Sequence, residues 1–229
     1  MAMKRKLRLF LANVAAVAAL TSCASARYYA GFTPENAVNE MALLEPVATQ
    51  FYSDKNGNEF YSDSLTVRSQ YLMETIATQI GVPVNCVIPL DSLQREEVNG
   101  FINYVAAHDK RAAGDIPIPQ ALDELLEQQG YRYGLVLFAN GIARDKAKFA
   151  KDAALGLTLG ILTAVLTLGM VSFYTIPIEG VSVMYAAVLD SWTDRIVFYN
   201  ISETETFEPA SERVVYRQLS RLLKDYLPK

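Results

Sequence analysis

Val181-Ser-Val-Met-Tyr-Ala-Ala-Val-Leu-Asp190-Ser-Trp192-Thr-Asp194-Arg-Ile-Val-Phe-Tyr-Asn-Ile-Ser202 decides the fold. Two β-rich runs, Val181 to Leu189 and Arg195 to Ser202, stand on either side of Asp190-Ser-Trp-Thr-Asp194. Such runs around a short polar break predict a hairpin. Downstream, Ser211 is placed to cap a helix whose apolar stripe is Val214, Val215, Leu219, Leu222, Leu223 and Tyr226. Upstream, Tyr131 to Ala143 reads as a strand entering the core. Before it, Pro119 starts a helix that ends at Gly130, with Leu122, Leu125 and Leu126 on one face.

The first half repeats the alternation. Asp91 or Ser92 can cap a helix from about Leu93 to Ala107. Val82 to Ile88 is a β-branched run read as a strand, and Leu65 to Ile80 has helical apolar spacing with Gly81 as its stop. Asp54-Lys-Asn-Gly-Asn58 is a turn between Gln50–Tyr52 and Glu59–Tyr61, and Met41 to Ala48 is a first strand with Pro46 at an edge or bulge. Strands interleaved with helices, closing on a hairpin and a helix, predict an α/β fold: one mixed sheet packed by helices.

One segment departs from this rhythm. Residues 144–178 form a charged-then-apolar insertion: Arg144 to Asp152 is dense with charge, and Ala153 to Ile178 has none. Ala153–Ser172 has the length of a transmembrane helix. Its three Gly and three Thr leave insertion near threshold. Gly156, Gly160 and Ala164 are spaced four apart, which puts small residues on one helical face and permits close helix approach. The segment is expected to be helical. Three placements fit it: a helix buried in or capping the fold, a helix or re-entrant hairpin against the bilayer or a partner copy, and a single span. The single span would separate residues 175–229 from the sheet they complete.

The amino terminus is an address. Lys4, Arg5, Lys6 and Arg8 precede an apolar run from Leu9 to Leu20 and then Leu20-Thr-Ser-Cys23. This is the layout of a secretory signal peptide over residues 1–22. It resembles the bacterial lipoprotein signal, whose cysteine is acylated and becomes the first mature residue. The resemblance makes Cys23 the lipidation site, and the following Ala24-Ser25, without Asp, resembles the pattern sorted to the outer membrane. Residues 23–40 then read as a tether and 41–229 as a single domain. Removing residues 1–22 takes four of the 21 basic residues and none of the 25 acidic ones, so the mature chain carries a net charge of −8. Acidity of that size disfavours nucleic acid as a partner. With Cys23 lipidated, Cys86 is left as the one other cysteine and no intramolecular disulfide forms.

A strand like Leu135–Ala139, a hairpin Val181–Ile201 with Asp190 in its turn, and a closing helix resemble the small α/β domain of several bacterial envelope lipoproteins. The periplasmic domain of the curli-secretion lipoprotein and the amino-terminal domain of TolB are examples. The chain lacks the two membrane hairpins of the curli-secretion pattern, so pore formation is not implied.

Motifs of catalysis are absent. There is no GxSxG elbow, no GxxxxGK[ST] loop and no GxGxxG fingerprint. His108 is the single histidine, which excludes a multi-histidine zinc site. It is expected to cap a helix C-terminus, and Cys86 is expected to be a buried apolar thiol. Glu96, Glu97, Glu124 and Glu127 fall on polar helix faces. No cofactor and no metal is expected. The sequence therefore points to a non-enzymatic binding or assembly role, held to a membrane by its lipid anchor. Its partner is another protein or a homo-oligomer, and Gly156, Gly160, Ala164 and Trp192 are its candidate contacts with that partner or with the membrane. Two other functions fit less well: a subunit of an oligomeric membrane or secretion assembly that inserts residues 153–172, and a hydrolase with an unrecognised site.

Overall fold

The long strand β6 (Tyr133–Arg144) is buried along both faces, and the rest of the fold is arranged around it. In a computed structural model that describes residues 27–30, 32–37, 40–54, 58–108, 113–144, 180–206 and 208–227, the described strands form one mixed sheet. β6 pairs antiparallel with β7 (Val181–Asp190), and β7 pairs antiparallel with β8 (Arg195–Glu205). On its other side β6 runs parallel to β2 (Met41–Leu44) and then to β3 (Val47–Ser53). The register slips by one residue across Glu45-Pro46, so the break in the strand is a bulge. Proline, lacking an N–H for the ladder, is suited to that place. Glu45 fills the bulge with polar contacts: it accepts from Leu90 N at 2.9 Å and from Arg95 Nη2 at 2.8 Å.

Side chains alternate across β6, and each face is closed by two helices. Tyr133, Leu135, Leu137 and Ala139 pack with Met73, Ile76 and Ala77 of α1 (Asp63–Gln79) and with Val215, Leu219 and Leu222 of α4 (Glu212–Leu222). Val136 and Phe138 pack with Val98, Phe101 and Ile102 of α2 (Ser92–Ala107) and with Leu122, Leu125 and Leu126 of α3 (Gln120–Gln129). A strand covered on both sides has no polar face to show, hence the near-continuous apolar run Leu135 to Ala139.

The helix ends follow the local chemistry. Asp91 caps α2 in a reciprocal box with Gln94, at 2.8 and 2.9 Å. Gly130 ends α3 at φ 74. His108 ends α2, with Nδ1 2.8 Å from Tyr104 O and its ring stacked on Tyr104 at 4.1 Å. The hairpin Gln50–Tyr61 forms as expected, with β4 (Glu59–Tyr61) antiparallel to β3.

Four expectations need correcting. Residues 27–37 are not free tether. Arg27–Tyr28 form strand β1 against β8, Tyr28 packs on Phe198 at 5.0 Å and donates to Asp225 at 2.7 Å, and Ala37 is fully buried. Two aromatic rings at the sheet edge bury enough apolar surface to hold this stretch down. The run Val82 to Ile88 yields only a two-residue strand, β5 (Val87–Ile88). Pro83 lacks a ladder donor, and the chain touches β2 only from Asn85 N to Met41 O onward. Cys86 is half-buried rather than buried. Ser211 stands at the N-cap of α4, but its side chain makes no cap bond; its carbonyl accepts from Val214 and Val215 instead.

The signal peptide and Cys23 lie outside the described residues, as does the helical expectation for Ala153–Ser172 with Gly156, Gly160 and Ala164. Ile142 is paired with Val181, so the strands flanking residues 145–179 are neighbours in one sheet. No helix among the described residues is long and apolar enough to cross a membrane.

Candidate functional site

The β7–β8 turn is built to hold Trp192 out. A bulge between Val188/Leu189 and their partners leaves Val197 without a partner on β7, two residues beyond Arg195, and adds local twist. Asp190 then folds the turn on itself: its Oδ1 accepts the Trp192 N–H at 3.1 Å and its carbonyl accepts Thr193 N at 3.2 Å. Asp194 takes φ 55, a conformation that Asp tolerates better than most residues. The tip is tied down on both sides. Ser191 N donates to Arg132 O at 2.9 Å, and Asp194 O accepts Ile118 N at 3.2 Å.

Arg132 joins these parts. Its guanidinium forks onto the Asp190 carboxylate, Nε to Oδ1 at 3.0 Å and Nη2 to Oδ2 at 3.1 Å. The same group lies over the Tyr133 ring at 4.7 Å and over the Trp192 ring at 4.3 Å. Cation–π contacts of this kind stabilise by about 0.5–2 kcal/mol, more when desolvated. The Asp190 hydrogen bond pushes the Arg132 pKa up, and burial pushes the Tyr133 phenol up. One face of the indole is thus seated on a fixed cation, while Trp192 as a whole stays 72% exposed.

Beside it runs an open groove of about 560 Å3, lined by Glu40, Glu127, Tyr131, Arg132, Ser191 and Trp192. Its one cation is already paired with Asp190, so the two glutamates leave it acidic. The Ser191 hydroxyl donates to the carbonyls of Tyr131 and Arg132, at 3.3 and 3.2 Å. The neighbouring Cys86 thiol pushes the Tyr131 phenol up. Among the described residues no three or more His, Cys, Asp or Glu gather as a metal site.

Of the residues expected from sequence, Trp192 is exposed at the tip, and Cys23, Gly156, Gly160 and Ala164 lie outside the described residues. Sequence reasoning missed Arg132. Its partner is 58 residues away, and no local pattern marks such a pair.

No protein-family model matches the chain, and no curated protein does. Among solved structures, the chain is similar to the PelC dodecamer from Paraburkholderia phytofirmans, with 9% identity over 90% of this chain and 98% of that one and a TM-score of 0.42. It is also similar to the LpoB C-terminal domain from Salmonella enterica, with 7% identity over 77% and 87% and a TM-score of 0.31. A lipoprotein from Neisseria meningitidis matches with 11% identity over 73% and 83% and a TM-score of 0.28. Likenesses this distant assign no function.

Proposed function

We propose that the protein is a lipid-anchored cell-envelope protein with a non-enzymatic binding or assembly role, and that the Trp192 platform is its contact with a partner. The observation that carries the contact is the treatment of the chain's single tryptophan. A large aromatic ring gains most by burial. Here it is held exposed by a buried carboxylate and a doubly stacked arginine. Rigid, exposed tryptophan with arginine beside it is the composition of interface hot spots. The anchor is read from the lipobox ending at Cys23, and the absence of Asp after it favours the outer membrane, facing the periplasm.

Catalysis is disfavoured by the groove's chemistry. The Ser191 hydroxyl is committed to backbone carbonyls, and the single histidine is committed to the end of α2.

A photo-crosslinking amino acid placed at position 192 in producing cells tests the contact. The expected result is one discrete crosslinked protein, with none from the same probe at position 93, where Leu93 is 61% exposed. Equal crosslinking at both positions, or none at 192, would overturn the contact.

A further inference from the structure

We infer that the layer formed by α1 and α4 docks on an anionic phospholipid surface, which it meets through the arginines of α4. The inference is separate from the Trp192 contact proposed above and makes no use of it.

Cations are unevenly placed in this acidic chain. Arg213, Arg217 and Arg221 recur every four residues along α4, and Lys224 follows in the short 3-10 turn after it; all four are exposed. That interval sets successive arginines about 6 Å apart in one row. The row stands opposite Val215, Gln218, Leu219 and Leu222, the buried side of the helix. None of the four is ion-paired among the described residues. The acids of this stretch, Glu212 and Asp225, lie at its two ends, and Asp225 is engaged by the Tyr28 hydroxyl.

α1 extends the same layer. Ser69 of α1 is bonded to Gln50 and Gln218 of α4 to Ser182, and these strand residues stand in one row of the sheet, Gln50↔Gly141↔Ser182. Arg68, also exposed, is therefore level with Arg217. Val67, Tyr71 and Tyr216 are each more than half exposed in this layer, and Glu74 is the exposed acid in the body of α1. The helices on the other face of the sheet have the opposite character. α2 and α3 carry Glu96, Glu97, Asp123, Glu124 and Glu127, and their single arginine, Arg95, is paired with Glu45 at 2.8 Å. The sheet thus separates an arginine-rich layer from an acid-rich one, a distribution that turns α4 toward a negative surface. A lone anion meets one of these cations at a time. A surface of phosphates meets the whole row, and its interfacial zone also takes the phenols.

The native chain provides the test. The full chain is inserted from detergent into preformed vesicles of phosphatidylcholine, or of phosphatidylcholine mixed with phosphatidylglycerol. Phenylglyoxal, a neutral reagent for arginine, is added and the modified peptides are weighed. Arg213, Arg217 and Arg221 are expected to react severalfold more slowly in the phosphatidylglycerol vesicles. Arg95, whose side chain is 40% exposed on the far layer, is expected to react alike in both. Arg213→Gln/Arg217→Gln should lower the ratio of docked to free domain about 30-fold, at roughly fivefold per arginine, and so restore the rate at Arg221. Equal rates at the α4 arginines in the two kinds of vesicle overturn the inference, as does equal protection of Arg95. Protection of Arg221 that survives the double substitution overturns it too. If the variant does not fold, the native comparison still decides. Rates indifferent to phosphatidylglycerol, with a photo-crosslink from position 217 to an acidic protein in producing cells, would assign the row to a protein partner instead. The comparison is the same for an acylated and an unacylated chain, so its failure is distinct from failure of the anchor reading.

Discussion

Arg132 satisfies three neighbours with one guanidinium, and the platform depends on it. Asp190, with its side chain only 4% exposed, is the partner that fixes the fork. Asp190→Asn keeps the shape but removes the charge and one acceptor, leaving the arginine partly buried and unpaired. The expected cost is about 1–3 kcal/mol in urea unfolding. A fall in Trp192 fluorescence anisotropy should accompany it, because the ring loses its seat; unchanged anisotropy would mean that the stack does not hold the ring. Gly130 makes a different, purely backbone demand. A Cβ there meets nothing within 4 Å, yet φ is +74. Gly130→Ala should therefore cost about 1 kcal/mol through conformation alone. A urea midpoint indistinguishable from the parent would refute that.

At the scale of elements, α4 is fastened to the sheet by polar as well as apolar contacts. Gln218, 1% exposed, donates from Nε2 to Ser182 O at 3.0 Å and to Ser202 O at 2.9 Å, and accepts from Ser182 Oγ at 2.8 Å. Gln218→Leu leaves those groups buried without their partner, at an expected cost of about 2–4 kcal/mol. Faster amide exchange confined to Glu212–Leu222 and the β7–β8 pair is the signature to look for; uniform exchange across the molecule would contradict it. The amphipathic stripe of this helix was legible in sequence, but Gln218 was not. A glutamine on an apolar face looks like surface until the sheet opposite is known. The same limit applies across the fold. Caps, turns and the β7–β8 hairpin are local, and Asp91, Gly130 and the Asp190–Asp194 turn announce them. The docking of Arg27–Tyr28, the curtailment of β5 and the Arg132–Asp190 fork join distant segments, and no periodicity encodes such contacts.

For the whole molecule, buried phenols set an alkaline limit. Tyr28, Tyr185 and Tyr226 are all raised above their ordinary value of 10, chiefly by burial, and Tyr28 also by its bond to Asp225. Below pH 10 both the folded and the unfolded chain hold these phenols neutral, so they give stability no pH dependence there. Above it the unfolded chain ionises first, and stability should fall as pH rises until the folded phenols follow. The phenolate absorbance of these three should then appear together with unfolding; titration of all the tyrosines in one early step, ahead of unfolding, would contradict their burial. The larger organisation follows from the sheet: the tryptophan turn closes one end of β7 and β8, and Ile142 pairs with Val181 toward the other. The proposed envelope role holds only if the chain is a lipoprotein. The amino-terminal peptide of protein extracted from membranes, weighed by mass spectrometry, tests this most directly. The account predicts a chain that begins at Cys23 and carries acyl groups. A chain that still begins at Met1, or a mature amino terminus without lipid, would contradict it.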